Sequence, residues 1–157
     1  MKLSEHFTLE ELIASPTAKR LNIDNTPTPL VKTRLELLVK TVLEPIRKKY
    51  GKQIIVTSGY RSPELNKKVG GAKTSDHCYG NAADIRSKSD TPQDNRELWL
   101  CIVDMVKRGE ISVKQVINEY GFDWIHLSYQ DGRTTKRNQL LDAVRKNGKT
   151  VYFPSKT

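Results

Sequence analysis

The hydrophobic period of this chain changes once, near Gly51, and that change constrains its fold more than any other feature. Before it, Leu35, Leu38, Val39, Val42, Leu43 and Ile46 recur at helical spacing and give one long helix an apolar face. After it, the apolar residues fall in short runs. Gln53-Ile54-Ile55-Val56-Thr57 reads as a core strand, Ala82-Ala83-Asp84-Ile85-Arg86 as a second, and 113–118 and 124–129 as two more. Helices come first and strands later, without βαβ alternation. That order predicts an α+β fold with a mainly antiparallel sheet and flanking helices.

Local signals place the element ends. Thr8 followed by Glu11 forms a capping box before Leu9, Leu12 and Ile13. Thr28 and Pro29 open the long helix, and Pro45 is placed to kink it late in its course. Ser62-Pro63-Glu64 starts a short helix ending near Val69, and Thr91-Pro92 starts another carrying Leu98, Ile102, Val103 and Val106. Gly70-Gly71-Ala72 is a loop, and Asn147-Gly148 is a hairpin turn signal. The 157 residues suit one domain, 1–157, with a helical part over about 1–50, a core over about 51–130 and a hairpin over about 138–154.

Charge narrows the partners without choosing one. The formal net charge is +9, spread as short pairs and triplets such as Arg47-Lys48-Lys49 and Lys136-Arg137. Such a balance favours anionic polymers. No nucleic-acid motif accompanies the charge, and no apolar run suits membrane insertion. The N-terminus shows no secretory signal, which predicts synthesis in the cytoplasm. Cys78 and Cys101 are expected to be buried free thiols.

The chain has three histidines, so a search for chemistry is short. His77 precedes Asp84 by seven positions, and Gly80 between them lets the chain turn. On a strand, Trp124, His126 and Ser128 share one face. Two imidazoles and a carboxylate make a three-ligand set for catalytic zinc with one position left open. Spacing alone also fits a surface histidine beside a strand aspartate. His6 has no partner motif and reads as a surface residue.

Taken together, Ser58-Gly59-Tyr60-Arg61-Ser62, Ser75-x-His77-x-x-Gly80-x-Ala82-x-Asp84 and Trp124-x-His126 resemble the zinc D-alanyl-D-alanine carboxypeptidase family. That family includes bacteriophage L-alanyl-D-glutamate endopeptidases and shares its fold with the hedgehog signalling domain. Phe7-Thr8-Leu9-Glu10-Glu11-Leu12 and Leu43-Glu44-Pro45-Ile46-Arg47 look like the short phage- and prophage-associated branch. The resemblance implies a hedgehog/DD-peptidase-like fold, one zinc ion held by His77, Asp84 and His126, and hydrolysis of an amide bond in peptidoglycan peptide. It also implies a carboxylate base near the third ligand, with Asp123 favoured and Glu119 its competitor. Arg61 matches the family's substrate-holding arginine, and Ser75, Tyr60 and Trp124 are candidates for substrate contact, with Tyr129 a further candidate for the cleft lining; capping of the loop is the alternative for Ser75, and core packing for Tyr60, Trp124 and Tyr129. Absence of a signal then suits an endolysin-like enzyme released to an anionic wall. The competing expectation is a zinc-stabilised binding or structural module without activity.

Overall fold

A computed structural model describes residues 1–156. The helices are α1 (Leu9–Ile13), α2 (Pro16–Arg20), α3 (Pro29–Leu38), α4 (Glu44–Tyr50), α5 (Pro63–Lys68) and α6 (Pro92–Lys107). The strands are β1 (Ile54–Ser58), β2 (Ala82–Ser87), β3 (Gln115–Glu119), β4 (Trp124–Ser128), β5 (Gln139–Lys146) and β6 (Lys149–Pro154). Among the described residues, no helix is long and apolar enough to cross a membrane.

One local rule starts most of the helices. Ser15, Thr28, Ser62 and Thr91 each accept a hydrogen bond from the backbone N–H three residues on, and each is followed by proline. The hydroxyl satisfies an orphan donor, the proline has no donor to lose, and such a cap is worth about 1 kcal/mol. Thr8 makes the full capping box with Glu11. At Pro45 the expected kink takes a specific form: a π-helical turn over Val39–Leu43 joins α3 to α4. Proline cannot donate to the carbonyl four residues back and its ring crowds that group, so the preceding turn widens. Glu44 N–H accordingly bonds to Val39 O.

The six strands form one sheet in the order β1-β2-β4-β3-β5-β6. Every pair is antiparallel except β3 with β5, so the α+β, mainly antiparallel expectation holds. Asn147 and Gly148 turn between β5 and β6 with φ of 52° and 76°, the left-handed geometry that an Asn-Gly hairpin adopts.

Strand parity divides the sheet into two chemically different faces. Ala83, Ile85, Val116, Ile125 and Leu127 join the buried core with Leu35, Leu38, Trp99 and Ile102 from the helices. Asp84, Ile117, Glu119, Trp124 and His126 belong to the opposite face, which is open to a cleft. Apolar burial on one side thus fixes the register that presents polar groups on the other.

His6 is a surface residue as expected, but it is held in place: its Nδ1 lies 2.7 Å from Glu44 Oε2, and its backbone N–H donates to Glu44 Oε1. Ser4 Oγ donates to the same carboxylate, so buried Glu44 fastens the N-terminal segment. Cys78 and Cys101 are free thiols as expected, but both are half-buried rather than buried.

Candidate metal centre

Asp84 and His126 face each other directly across the β2–β4 ladder, where Asp84 pairs with His126 and Ala82 with Ser128. His77 reaches them from outside the sheet. It sits in a short 3₁₀ turn, Asp76–Tyr79, in which its own backbone N–H donates to Ser75 Oγ. Gly80 ends the turn at φ 77°, and a Cβ there would lie 2.9 Å from Val31 O, so glycine alone suits this return into β2. His77 and Cys78 are therefore neighbours on a turn, not on a strand, and Cys78 stays outside the cluster.

The ligand atoms of His77, Asp84 and His126 all lie within 4.8 Å of one another. His77 is 3% exposed, and its Nδ1 lies 2.7 Å from Gly59 O. A carbonyl only accepts, so Nδ1 carries a proton, and in the neutral ring Nε2 keeps its lone pair free for a metal, 3.4 Å from Asp84 Oδ1. His126 offers Nδ1 at 2.9 Å from the same oxygen. Burial alone pushes the Asp84 carboxyl up, but the two imidazoles, which donate to it and add positive charge when protonated, hold it well below the ordinary carboxylate range. A convergent pair of imidazole nitrogens and an ionised oxygen, with one tautomer fixed by a backbone carbonyl, fits a divalent zinc ion.

The cluster opens into a cleft of about 680 Å³. Arg61 lines it half-buried, with Nη2 3.4 Å from Ser75 Oγ and with Nε unpartnered. Among the described residues it has no carboxylate in an ion pair. Burial pushes the Arg61 guanidinium down while Asp84 pulls it up. Ser75 and Trp124 also line the cleft, Trp124 edge-on to Tyr120 with ring centres 5.5 Å apart.

Glu119 enters this cleft and Asp123 does not. Glu119 pairs with Trp124 across β3–β4 and is 8% exposed. Burial raises its carboxyl above the ordinary range; His126 opposes that shift and Asp84 adds to it. Asp123 is exposed, lies in the turn before β4, and faces a separate depression with Tyr120 and Arg145. Asp123 precedes the first residue of β4, in a turn where Phe122 takes a φ of 68°, so the strand does not carry its side chain into the cleft. Of the two candidate carboxylates, Glu119 is thus the one that lines the cleft.

Tyr60 takes the core place and not the cleft. It is 6% exposed within the core, and its backbone binds Leu12 O and Asn25. Tyr129 packs against the core as well. Conversely, Gln115, Ile117, Gln139, Leu141 and Tyr152 line the cleft without having drawn notice from the sequence. Gln115 and Ile117 share the parity of Glu119, a signal available once β3 is placed through residue 119. β5 arrives by pairing with β3 and carries β6 on its other edge, and no local pattern announces that docking.

Comparison with known families agrees with this geometry. A family model described as Peptidase M15 matches residues 5–128, which includes every residue of the His/Asp/His cluster, Arg61 and Glu119. No curated protein matches the chain.

Proposed function

This chain belongs to the Peptidase M15 family, and from that premise we propose that it is a zinc peptidase cutting an amide bond in the stem peptide of bacterial peptidoglycan. The observation that carries the reading is the convergence, on one sheet face, of the His77–Asp84–His126 cluster with a buried carboxylate and an unpaired arginine. His77 Nε2, Asp84 Oδ1 and His126 Nδ1 are the atoms that would hold the metal. Zinc bound there supplies Lewis acidity, polarising a carbonyl and making water acidic near neutral pH.

The protein's own groups account for the rest. Glu119 takes a proton from the attacking water as its oxygen bonds to the amide carbon, and delivers that proton to the leaving nitrogen as the C–N bond breaks. The second proton of the water also ends on that nitrogen, so the products are a carboxylate and an ammonium group, with Glu119 returned to its starting state. Burial raises its pKa above the ordinary carboxylate range, which makes it a stronger base toward the water. Arg61 fixes a substrate carboxylate or the developing negative charge on the carbonyl oxygen, and Ser75 orients the guanidinium.

A basic surface on a small domain suits attraction to anionic wall polymers, and we read the setting as wall degradation of the phage or prophage endolysin type. Digesting purified peptidoglycan with zinc-loaded protein and identifying new termini by mass spectrometry tests the function. New amino and carboxyl termini in stem peptides, absent with Glu119→Gln, are expected. Intact peptidoglycan after treatment with metal-loaded wild-type protein would defeat it.

A further inference from the structure

The family match ends at residue 128, but the cleft continues beyond it. Its far wall is completed by Lys136, Gln139, Leu141 and Tyr152. These residues arrive because β5 pairs in parallel with β3, extending the rows of the sheet as Gln115–Gln139, Ile117–Leu141 and Glu119–Ala143–Tyr152. In-register neighbours on a ladder share a face, so this wall lies on the same side as the Asp84–His126 row.

The chemistry of the wall is graded. Gln115 Nε2 donates to Gln139 Oε1 at 2.8 Å, which leaves the Gln115 carbonyl and the Gln139 amide as one acceptor and one donor. A peptide group needs that complement. Ile117 and Leu141 make an apolar strip beside them. Lys136 adds a cation from a loop that is fastened in place by Arg133. The Arg133 guanidinium bonds Asp76 Oδ1 at 2.8 Å and Asp131 Oδ2 at 2.6 Å, and lies 3.8 Å from the Tyr79 ring centre. Asp76, the further carboxylate lining the cleft, already holds both Arg133 and Lys114, the latter at 2.6 Å. The Lys136 ammonium therefore has no ion-pair partner among the described residues.

We infer that this wall is a second substrate subsite, for an extended peptide segment bearing a small apolar side chain and a second carboxylate. The side chain packs on Ile117 and Leu141, the peptide group bonds the glutamine pair, and the carboxylate meets Lys136. Arg61 receives the other anionic group. The inference rests on the peptidase reading and adds to it: residues outside the family match select an acidic stem peptide over a neutralised one.

Two synthetic L-alanyl-D-glutamate-containing stem peptides, identical except that one carries a free and the other an amidated glutamate carboxylate, test it. KM is measured with zinc-loaded protein, and Kd by calorimetry with Glu119→Gln protein. Wild type should favour the free acid by about fivefold, the scale of a partly exposed ion pair. Lys136→Ala should erase the preference, and Leu141→Ala should weaken both peptides alike. A preference that survives in Lys136→Ala, or that is absent from wild type, overturns the subsite. If wild type cleaves neither peptide but binding retains the Lys136-dependent preference, the peptidase reading fails and the subsite stands.

Discussion

His126 Nδ1 lies 2.9 Å from Asp84 Oδ1, and the two residues sit directly opposite each other on neighbouring antiparallel strands. The contact is a product of register. A one-residue slip of β4 would carry His126 to the helix-facing side and break the cluster. The same packing that buries Ile85, Ile125 and Leu127 therefore holds two of the three candidate ligands in place.

Removing Asp84 tests whether this arrangement holds metal. Zinc at a hundred times its Kd should stabilise wild type by about 2.7 kcal/mol, raising Tm by roughly 5–10 °C. Asp84→Ala should lose stoichiometric zinc and most of that shift, because two imidazoles remain without their charged partner. Metal content after gel filtration and a thermal scan with added zinc provide the check. A variant that keeps one zinc per chain and the full shift removes Asp84 from the ligand set.

Much of this arrangement was legible in the sequence because it is set locally. Caps at Thr8, Thr28, Ser62 and Thr91 and the Asn147-Gly148 turn depend on a few adjacent residues, as does the shared face of Trp124 and His126. Ser15-Pro16 carries the same signature, so α2 was readable too, although no helix is expected there from apolar periodicity. Glu119 joins the cleft-facing row only when β3 is carried to residue 119 and its alternation counted against β4. The grip of Glu44 on Ser4 and His6, and the docking of β5 on β3, join segments far apart in the chain. Nothing in a short window encodes those.

Among the described residues, Arg61 has no carboxylate in an ion pair, and its Nε has no hydrogen-bond partner. Its role in binding an anionic group should therefore depend on the guanidinium fork as well as on charge. Arg61→Lys keeps the charge and loses the two-pronged geometry. KM for a peptide with a free carboxylate should rise about tenfold or more, with the circular dichroism spectrum unchanged. Unaltered kinetics would take Arg61 out of substrate contact.

Gly59 joins the fold to the site through its backbone. A Cβ there would fall 2.1 Å from Leu12 O, the same carbonyl that receives Tyr60 N–H at 2.7 Å. Its own carbonyl accepts from His77 Nδ1. Gly59→Ala must separate α1 from β1 and shift that carbonyl, at a cost of about 3 kcal/mol. Tm should fall by roughly 6–12 °C. Zinc affinity should weaken as well, since His77 loses the bond that selects its tautomer. A stable variant with wild-type zinc affinity would show that the close contact relaxes without consequence.

The position of Glu119 has a thermodynamic signature that needs neither substrate nor metal. Burial raises its folded-state pKa above the unfolded value; His126 partly offsets this and Asp84 reinforces it. A group raised in this way contributes stability that is fully present below its unfolded pKa and lost as pH rises through the folded one. At neutral pH the ionised carboxylate is thus a cost to the metal-free fold. Glu119→Gln should raise the Tm of metal-free protein at pH 7 by about 2–4 °C, equivalent to about 1 kcal/mol. The advantage should shrink as pH falls into the ordinary carboxylate range, where the wild-type residue is protonated and neutral. Bound zinc should also narrow it, because a nearby cation favours the ionised form. Thermal scans of both proteins from pH 4 to pH 8 read the difference directly. A gap that stays constant with pH, or a destabilised variant at pH 7, would mean that Glu119 does not occupy the desolvated position required of a base poised to exchange its proton.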